Sequence, residues 1–247
     1  MRTKRSTLAV EVEQTSPDGG DEVILRFRPG QRYVHLLVAA SFVVLFLTGL
    51  PLIFDPLSFL AEGGWTRILH RIAAVGFMSV PILYFIVDRE GAKQLIKESF
   101  TFDRDDFNWL MHIGRYVLGN AADMPPQGRL NAGQKLHHAA VMVLSAGVVI
   151  SGLLLWFAKA SLSDSMLGWT VVIHDVSMGA LVLLLIGHVY FTVVYKAINN
   201  MHTGYMPRTK AEIEHAKWVA EIEGEASGSE DGASDRDEPT STSEPQS

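Results

Sequence analysis

Four long apolar segments dominate the pattern of hydrophobic and polar positions along the chain. Residues 33–54 and 139–158 contain no Asp, Glu, Lys or Arg, and residues 72–87 form a third uncharged run. Residues 165–195 contain a single acidic residue, Asp175. A helix needs about 20 residues to cross the roughly 30 Å hydrocarbon core of a bilayer. The pattern therefore predicts membrane-spanning helices at about 33–54, 66–87, 136–158 and 168–195.

The fold class predicted from these segments is all-α, an integral-membrane four-helix bundle. We assign residues 23–219 to this domain and residues 88–134 to a polar connection between its second and third spans. Residues 1–22 are expected to be a mobile segment. Residues 220–247 are acidic and poor in apolar side chains, which predicts a disordered tail. Residues 23–28 (VILRFR) indicate either a short strand or a lead-in to the first helix, and we find no internal repeat.

Lys and Arg are distributed unevenly among the polar segments. They are frequent before the first span, in the 88–134 connection and after the fourth span, whereas the other two connections are short and nearly free of them. Cytoplasmic segments of membrane proteins carry an excess of Lys and Arg. We therefore predict a multi-pass protein of the plasma membrane with both termini and the 88–134 connection in the cytoplasm. This side is called the inner side, and the opposite one the outer side.

Composition and charge exclude several kinds of site. The chain has 247 residues and no cysteine, which rules out disulfides, thiolate zinc sites, cysteine-ligated iron–sulfur clusters and c-type haem attachment. The net charge of -6 comes from the tail, because residues 221–247 hold nine acidic residues and one arginine. The rest of the chain is slightly basic. It lacks the large basic patch that nucleic-acid binding requires, so no nucleic-acid partner is expected.

Histidines in the apolar spans are the main candidates for chemistry. Ionisable groups inside a membrane are costly and are functional candidates by default. His174 and His188 lie fourteen residues apart in the fourth span. Helix geometry places them on nearly the same face and about 21 Å apart along the axis, at two depths in the membrane. On the outer side, His70 at the start of the second span is available to pair with His174.

The inner side offers more than one partner for His188. His35 lies at the inner end of the first span, and His137 and His138 lie at the inner start of the third. Two imidazole pairs stacked across a four-helix bundle are the arrangement that two bis-histidine b haems require. Imidazoles on both axial positions leave no site for oxygen or substrate, so such iron only exchanges electrons.

Several motifs together resemble one known family. In chain order they are ILRFRPGQRYVHLL (24–37), TRILHRI (66–72), LNAGQKL (130–136), VVIHDVSMGALVLLLIGHVYFTVVY (171–195) and EHAKW (214–218). With these motifs the chain resembles the gamma, or cytochrome b556, subunits of respiratory membrane-bound formate dehydrogenases. The resemblance covers about residues 24–219, and the order of the motifs makes it fairly specific.

The resemblance implies a dihaem cytochrome b with a defined ligand set. Its outer haem iron would be held by His70 and His174. Its inner haem iron would be held by His35 and His188, which favours His35 over the histidines of the third span. The implied fold is a four-helix membrane bundle that holds both b haems.

The resemblance also implies a quinone site beside the inner haem. The corresponding residues are Asn131, Gly133 and Gln134, and the substrate would be menaquinone or ubiquinone. A structural alternative is that Asn131 simply caps the third membrane helix. Both roles are compatible with each other.

The implied function is electron transfer within a larger complex. Its partners would be an iron–sulfur beta subunit, a catalytic alpha subunit containing molybdenum or tungsten, membrane lipid and quinone on the cytoplasmic side. Formate oxidation itself is not expected on this chain. Two alternatives stay open. One is a cytochrome b subunit of a hydrogenase or of a thiosulfate or polysulfide reductase. The other, less favoured, is an ion transporter that uses the histidines.

Overall fold

The computed structural model describes residues 12–15 and 22–224. Four helices of this part are long and apolar enough to cross a membrane, which confirms the predicted all-α membrane fold. In chain order the helices are α1 (Pro29–Ile53), α2 (Trp65–Val87), α3 (Arg89–Ser99), α4 (Arg104–Met111), α5 (Ile113–Val117), α6 (Ala132–Leu153), α7 (Asp164–Val194), α8 (Ile198–Thr203), α9 (Arg208–Glu214) and α10 (216–224). A 3-10 helix at Asp55–Ala61 joins α1 to α2, and a π-helical turn at Leu154–Ala158 continues α6.

The membrane helices begin before the apolar runs that predicted them. α1 starts four residues earlier than expected, and so does α6. In each case a capping box extends the helix into polar sequence. At α6 the box is complete, because Asn131 and Gln134 each accept from the other's backbone N–H, whereas at α1 only one half forms, in which Gln31 accepts from the Arg28 N–H. Such boxes satisfy backbone N–H groups of the first turn, so these turns need no apolar side chains.

The four membrane helices form two hairpins, α1–α2 and α6–α7. The helices within each hairpin pack closely along one another, and no pair of spans from different hairpins packs as closely in the described residues. Apolar side chains on the outward faces of the spans are widely exposed, as expected for surfaces in contact with lipid. The space in the middle of the bundle therefore lies between the two hairpins, and side chains of different hairpins face each other there.

The two hairpins carry similar short motifs at matching positions, which the search for an internal repeat did not identify. Both first helices begin with the capping box described above, and both second helices carry a histidine one turn after a Trp-Thr pair. The matching segments are 30–35 (GQRYVH) with 133–138 (GQKLHH), 48–49 (TG) with 151–152 (SG), and 65–70 (WTRILH) with 169–174 (WTVVIH). Interchangeable apolar residues between these short motifs obscure the repeat.

A small module covers the inner end of the bundle. Its strands are β1 (Val12–Thr15), β2 (Glu22–Leu25) and β3 (Tyr205–Pro207), which form an antiparallel sheet in the order β1-β2-β3. Side chains of this sheet and of α10 form one buried apolar cluster, in which Ile24 and Met206 meet Trp218. The segment 23–28 is thus a strand at its start, and it ties the entry to α1 to the segment that follows α7.

The polar connection 88–134 is largely helical and lies at the same end. Asp88 and Asp103 cap its first two helices by accepting hydrogen bonds from backbone N–H groups. A buried cluster of Trp109, Tyr116 and Ala132 packs it against the start of α6. The small sheet module and the 88–134 connection are therefore both packed against the inner end of the bundle.

The predicted terminal segments are only partly covered by the structure. Of the segment 1–22, predicted to be mobile, residues 12–15 form β1 and most others lie outside the described residues. The predicted tail starts at 220, whereas α10 continues to 224. Residues 225–247 lie outside the described residues.

Candidate functional site

The structure brings four of the sequence-predicted histidines together as two pairs between the hairpins. The ring centres of His70 and His174, the outer pair, lie 6.4 Å apart with planes inclined by 57°. Those of His35 and His188, the inner pair, lie 6.1 Å apart with planes inclined by 47°. All four side chains are half-buried. Because α7 carries one member of each pair, the pairs lie at two levels along the bundle.

Both distances fit two imidazoles that share one metal ion. A nitrogen ligand lies about 2 Å from its metal and about 1 Å from its own ring centre, so rings on opposite sides of one metal have centres about 6 Å apart. The described residues contain no cluster of three or more His, Asp or Glu suited to a bare metal ion. Two imidazoles per level would suit a haem iron, whose remaining ligands come from the porphyrin.

A hydroxyl group on α1 orients His70. Thr48 Oγ1 lies 2.9 Å from His70 Nδ1 and 2.6 Å from the carbonyl oxygen of Val44. The hydroxyl has one proton, which it donates to that carbonyl, so it accepts a hydrogen bond from His70 Nδ1–H. The other ring nitrogen, Nε2, therefore carries the free electron pair that a metal needs.

The second hairpin repeats this arrangement around His174. Ser151 Oγ lies 3.0 Å from His174 Nδ1 and donates to the carbonyl oxygen of Gly147 at 2.6 Å. Because the single hydroxyl proton of Ser151 goes to that carbonyl, the hydroxyl accepts from His174 Nδ1–H, which leaves Nε2 of His174 available as a ligand. Sequence reasoning missed Thr48 and Ser151, although their positions in the repeat, directly before a glycine, were a usable signal.

The glycine after Ser151 lets the His174 ring approach α6 closely, whereas the glycine after Thr48 leaves ordinary room beside His70. A Cβ atom at Gly152 would lie 3.2 Å from Cε1 of His174, which is tighter than ordinary van der Waals contact. A Cβ atom at Gly49 would lie 3.7 Å from Cε1 of His70. The outer pair is thus enclosed by a hydroxyl and a glycine from each hairpin.

The inner pair has different surroundings. Within the described part of the chain, the ring nitrogens of His35 and His188 make no hydrogen bond. The ring of His137 stacks on His188 with centres 5.2 Å apart and planes inclined by 16°. That separation is shorter than two ligands of one metal require, whereas the His35–His188 separation matches it. His138 lies next to His137 and points its Nδ1 into a buried environment without a partner.

The three residues expected at the quinone site lie together at the inner end of α6. Asn131 is 2% exposed and caps the helix, since its Oδ1 accepts from the Gln134 N–H at 2.9 Å. Its Nδ2 also donates to the Tyr116 hydroxyl at 3.2 Å. A Cβ atom at Gly133 would lie 2.9 Å from the Trp109 ring, so only glycine fits there. The capping role of Asn131 is therefore present in this structure.

An aromatic cluster covers this loop on the side of α7. Tyr116 stacks on Tyr195 with ring centres 4.2 Å apart and lies 4.7 Å from Trp109. Burial, followed by the nearby charge of Glu214, raises the pKa of Tyr116. The Tyr116 hydroxyl therefore keeps its proton at neutral pH. Sequence reasoning missed this cluster because its members come from three separate segments.

Comparison with known proteins identifies related chains. A family model described as prokaryotic cytochrome b561 matches residues 26–206. The formate dehydrogenase cytochrome b556(fdo) subunit of Escherichia coli strain K12 is 27% identical over 81% of this chain and 94% of its own length. The nitrate-inducible cytochrome b556(Fdn) subunit of the same organism is 23% identical over 82% of this chain and 93% of its own length. The formate dehydrogenase cytochrome b556 subunit of Haemophilus influenzae is 20% identical over 81% and 84%.

Proposed function

The chain belongs to the prokaryotic cytochrome b561 family, and we propose that it is the membrane cytochrome b subunit that links a formate dehydrogenase to the quinone pool through two b haems. The observation that carries the proposal is the presence of two histidine pairs at two levels, each with ring centres about 6 Å apart. The relatives named as formate dehydrogenase cytochrome b556 subunits support the choice of dehydrogenase.

The histidine pairs are the proposed haem ligands. His70 and His174 would hold the outer haem iron, and His35 and His188 the inner one. A haem held by these residues would supply a one-electron carrier at each level. Thr48 fixes the ring orientation of its histidine before any cofactor binds, because its contact depends only on protein atoms. Pre-organised ligands of this kind lose little freedom on binding metal.

The proposed orientation in the plasma membrane places the inner end in the cytoplasm. The concentration of Lys and Arg at that end supports this choice. An iron–sulfur beta subunit would then dock at the outer end, near His70 and His174, and connect to a catalytic alpha subunit that contains molybdenum or tungsten. The chain itself transfers electrons and does not oxidise formate.

The choice of electron donor can be tested in membranes that contain the complete complex. Formate should reduce the b haems of the wild-type chain, as followed by their b-type absorbance. Removal of the dehydrogenase subunits should abolish this reduction. Reduction by dihydrogen but not by formate would instead assign the chain to a hydrogenase. A thiosulfate or polysulfide reductase would show reoxidation of the haems by its own sulfur substrate.

The proposed quinone site is the loop of Asn131, Gly133 and Gln134 at the start of α6. Quinone carbonyl oxygens need hydrogen-bond donors, and the loop carries two side-chain amides within two helical turns of His137, which stacks on His188. We expect Asn131→Leu to leave both haems reducible by the donor subunits while slowing their reoxidation by menaquinone or ubiquinone.

A second variant separates the quinone role from the capping role of Asn131. Asn131→Asp keeps an oxygen that caps α6 but removes the amide donor. We expect this variant to fold normally, retain both haems and still be reoxidised slowly. Reoxidation at the wild-type rate would restrict Asn131 to helix capping and place the quinone elsewhere.

A further inference from the structure

Two buried polar side-chain atoms in the described residues have no hydrogen-bond partner, and both belong to segments at the inner end of the bundle. They are Arg26 Nη1 and His138 Nδ1. Arg26 is 7% exposed and lies between β2 and α1. Buried polar groups are nearly always hydrogen-bonded, so an orphaned donor calls for an explanation. Arg26 Nη1 is a donor, and His138 Nδ1 donates in the tautomer that carries the proton there, so the two atoms together suit a hydrogen-bond acceptor.

The known contacts of Arg26 supply no negative charge. Its Nη2 lies 3.3 Å from Nε2 of His215, whose Nδ1 lies 2.8 Å from the carbonyl oxygen of Gly128. His215 must donate to that carbonyl, so its Nε2 accepts from Arg26. The guanidinium also lies over the ring of Trp218, 4.8 Å from its centre. These contacts orient the cation without neutralising it.

Arg26 nevertheless remains charged at neutral pH. Burial and then the nearby charge of Arg129 lower the pKa of Arg26 to about 9. Glu98 is paired with Arg129 at 2.5 Å, and Glu214 lies 3.7 Å from Lys210. Among the described residues, no carboxylate lies within 4.0 Å of the Arg26 guanidinium. Glu214 and Glu98 favour the charged form of Arg26 only from beyond ion-pair distance. A buried cation without a carboxylate in contact is unfavourable, so an anionic partner from outside the chain is expected.

His138 connects this cation to the inner pair. Its ring centre lies 5.8 Å from that of His137, which in turn stacks on His188 at 5.2 Å. Arg26 reaches the same end of α6 through His215, which bonds to the Gly128 carbonyl shortly before that helix begins. His138 lies in the second turn of α6, so both orphaned atoms are at this end of the helix. The expected partner is therefore an anion held close to the inner haem position.

We propose that Arg26 and His138 bind a propionate carboxylate of the inner haem. The carboxylate would accept hydrogen bonds from Arg26 Nη1–H and His138 Nδ1–H, which pairs the buried cation and satisfies both orphaned donors. A quinone carbonyl is also an acceptor but is neutral, so it would leave the charge of Arg26 uncompensated. This inference rests on the proposed inner haem at His35 and His188.

The test uses the full-length chain in its membrane complex, with the midpoint potential and content of each haem as the readouts. A His70→Ala background removes the outer haem, so that the remaining signal reports the inner one. In this background we expect Arg26→Gln to lower the midpoint potential of the inner haem or to reduce its content, since loss of a nearby cation favours the ferric form. Arg26→Lys should retain most of the potential, and His138→Leu should shift it less than Arg26→Gln.

A matched control removes a neighbouring cation that already has a carboxylate partner. Arg28 lies 3.1 Å from Asp88, so Arg28→Gln should change the inner potential less than Arg26→Gln does. Unchanged potential and content in both Arg26→Gln and His138→Leu would overturn the proposal. So would normal potentials combined with slow reoxidation by quinone, since that pattern identifies quinone as the ligand. A wild-type chain with fewer than two haems would instead refute the proposed function itself.

Discussion

The outer and inner histidine pairs differ in construction, although α7 contributes to both. His70 and His174 occupy equivalent positions in the two hairpins, and each ring is oriented by a hydroxyl in the same way. The inner pair combines non-equivalent positions. The repeat matches His35 with His138, and continuing the alignment along α2 and α7 matches His188 with Tyr84. The repeat thus produces a symmetric outer site. At the inner end His138 and Tyr84, the counterparts of His35 and His188, are left for other roles.

The largest expected effect is the loss of the outer site alone. His70→Ala or His174→Ala removes a proposed ligand of the outer haem, and we expect one haem per chain to be lost while the inner haem stays. Haem extraction and optical spectra of the purified complex measure this. His112→Ala is the matched control, because His112 is exposed in the 88–134 connection, and it should retain both haems. Two low-spin b haems in the His70→Ala protein would break the outer assignment.

The inner site should respond to His35 and not to His137. We expect His35→Ala to lose one haem, because its ring is at the distance from His188 that a shared metal requires. His137→Ala should keep both haems, since His137 only stacks on His188. The same haem assay distinguishes them. The reverse result would show that α6, rather than α1, supplies the inner ligand.

Removal of a hydroxyl partner should shift only the outer potential. A hydrogen bond from Nδ1–H makes imidazole a more basic ligand, so its loss in Thr48→Val or Ser151→Ala should raise the midpoint potential of the outer haem. One hydrogen bond contributes about 1 kcal/mol, which corresponds to roughly 40 mV for one electron. Redox titration of both haems measures the shift. Thr48→Ser keeps the hydroxyl and should therefore keep the wild-type potential of the outer haem. An equal shift of the inner potential would contradict the difference between the sites.

The smallest effect is expected at the inner surface, away from both pairs. Lys217 on α10 lies 2.7 Å from Asp103 and 2.6 Å from Asp105. The hydrogen bond from Lys217 lowers the pKa of Asp103, so its stabilising contribution exists above the usual carboxyl pKa and is lost as the pH falls through the lowered value. These groups are largely exposed, so Lys217→Met should cost less than about 1 kcal/mol of unfolding free energy.

Thermal unfolding between pH 7 and pH 3 measures that contribution, and haem potentials are recorded alongside. We expect the Lys217→Met protein to retain both potentials. A shift of the inner potential in this variant would mean that any change at the inner surface disturbs the inner haem. The potential change expected for Arg26→Gln would then no longer indicate a direct contact between Arg26 and the haem.

Apolar runs and histidine spacing predicted the parts of the molecule that depend on local sequence. The four spans follow from uninterrupted apolar stretches, and the two levels follow from the spacing of His174 and His188 along one helix. The choice between His35 and His137 could not come from spacing, because both lie at the same depth. Both rings lie beside His188, and the difference is in the separation: His137 stacks on it at 5.2 Å, whereas His35 lies at the 6.1 Å that suits a shared metal.

Contacts between distant segments escaped the sequence analysis. β2 and β3 are short strands separated by all four spans, and neither has a pattern long enough to identify its partner. Thr48 and Ser151 resemble ordinary hydroxyl residues of membrane helices, which bond to a carbonyl one turn earlier. Their role becomes visible only when the histidine of the second helix in each hairpin is placed beside them.

Haem content tests the two-pair arrangement most directly. A reduced-minus-oxidised spectrum of the purified chain, together with haem quantification, should show b-type haem at two per chain and titrate with two midpoint potentials. A chain with no b-type signal, or with a single haem that survives loss of either histidine pair, would contradict the arrangement.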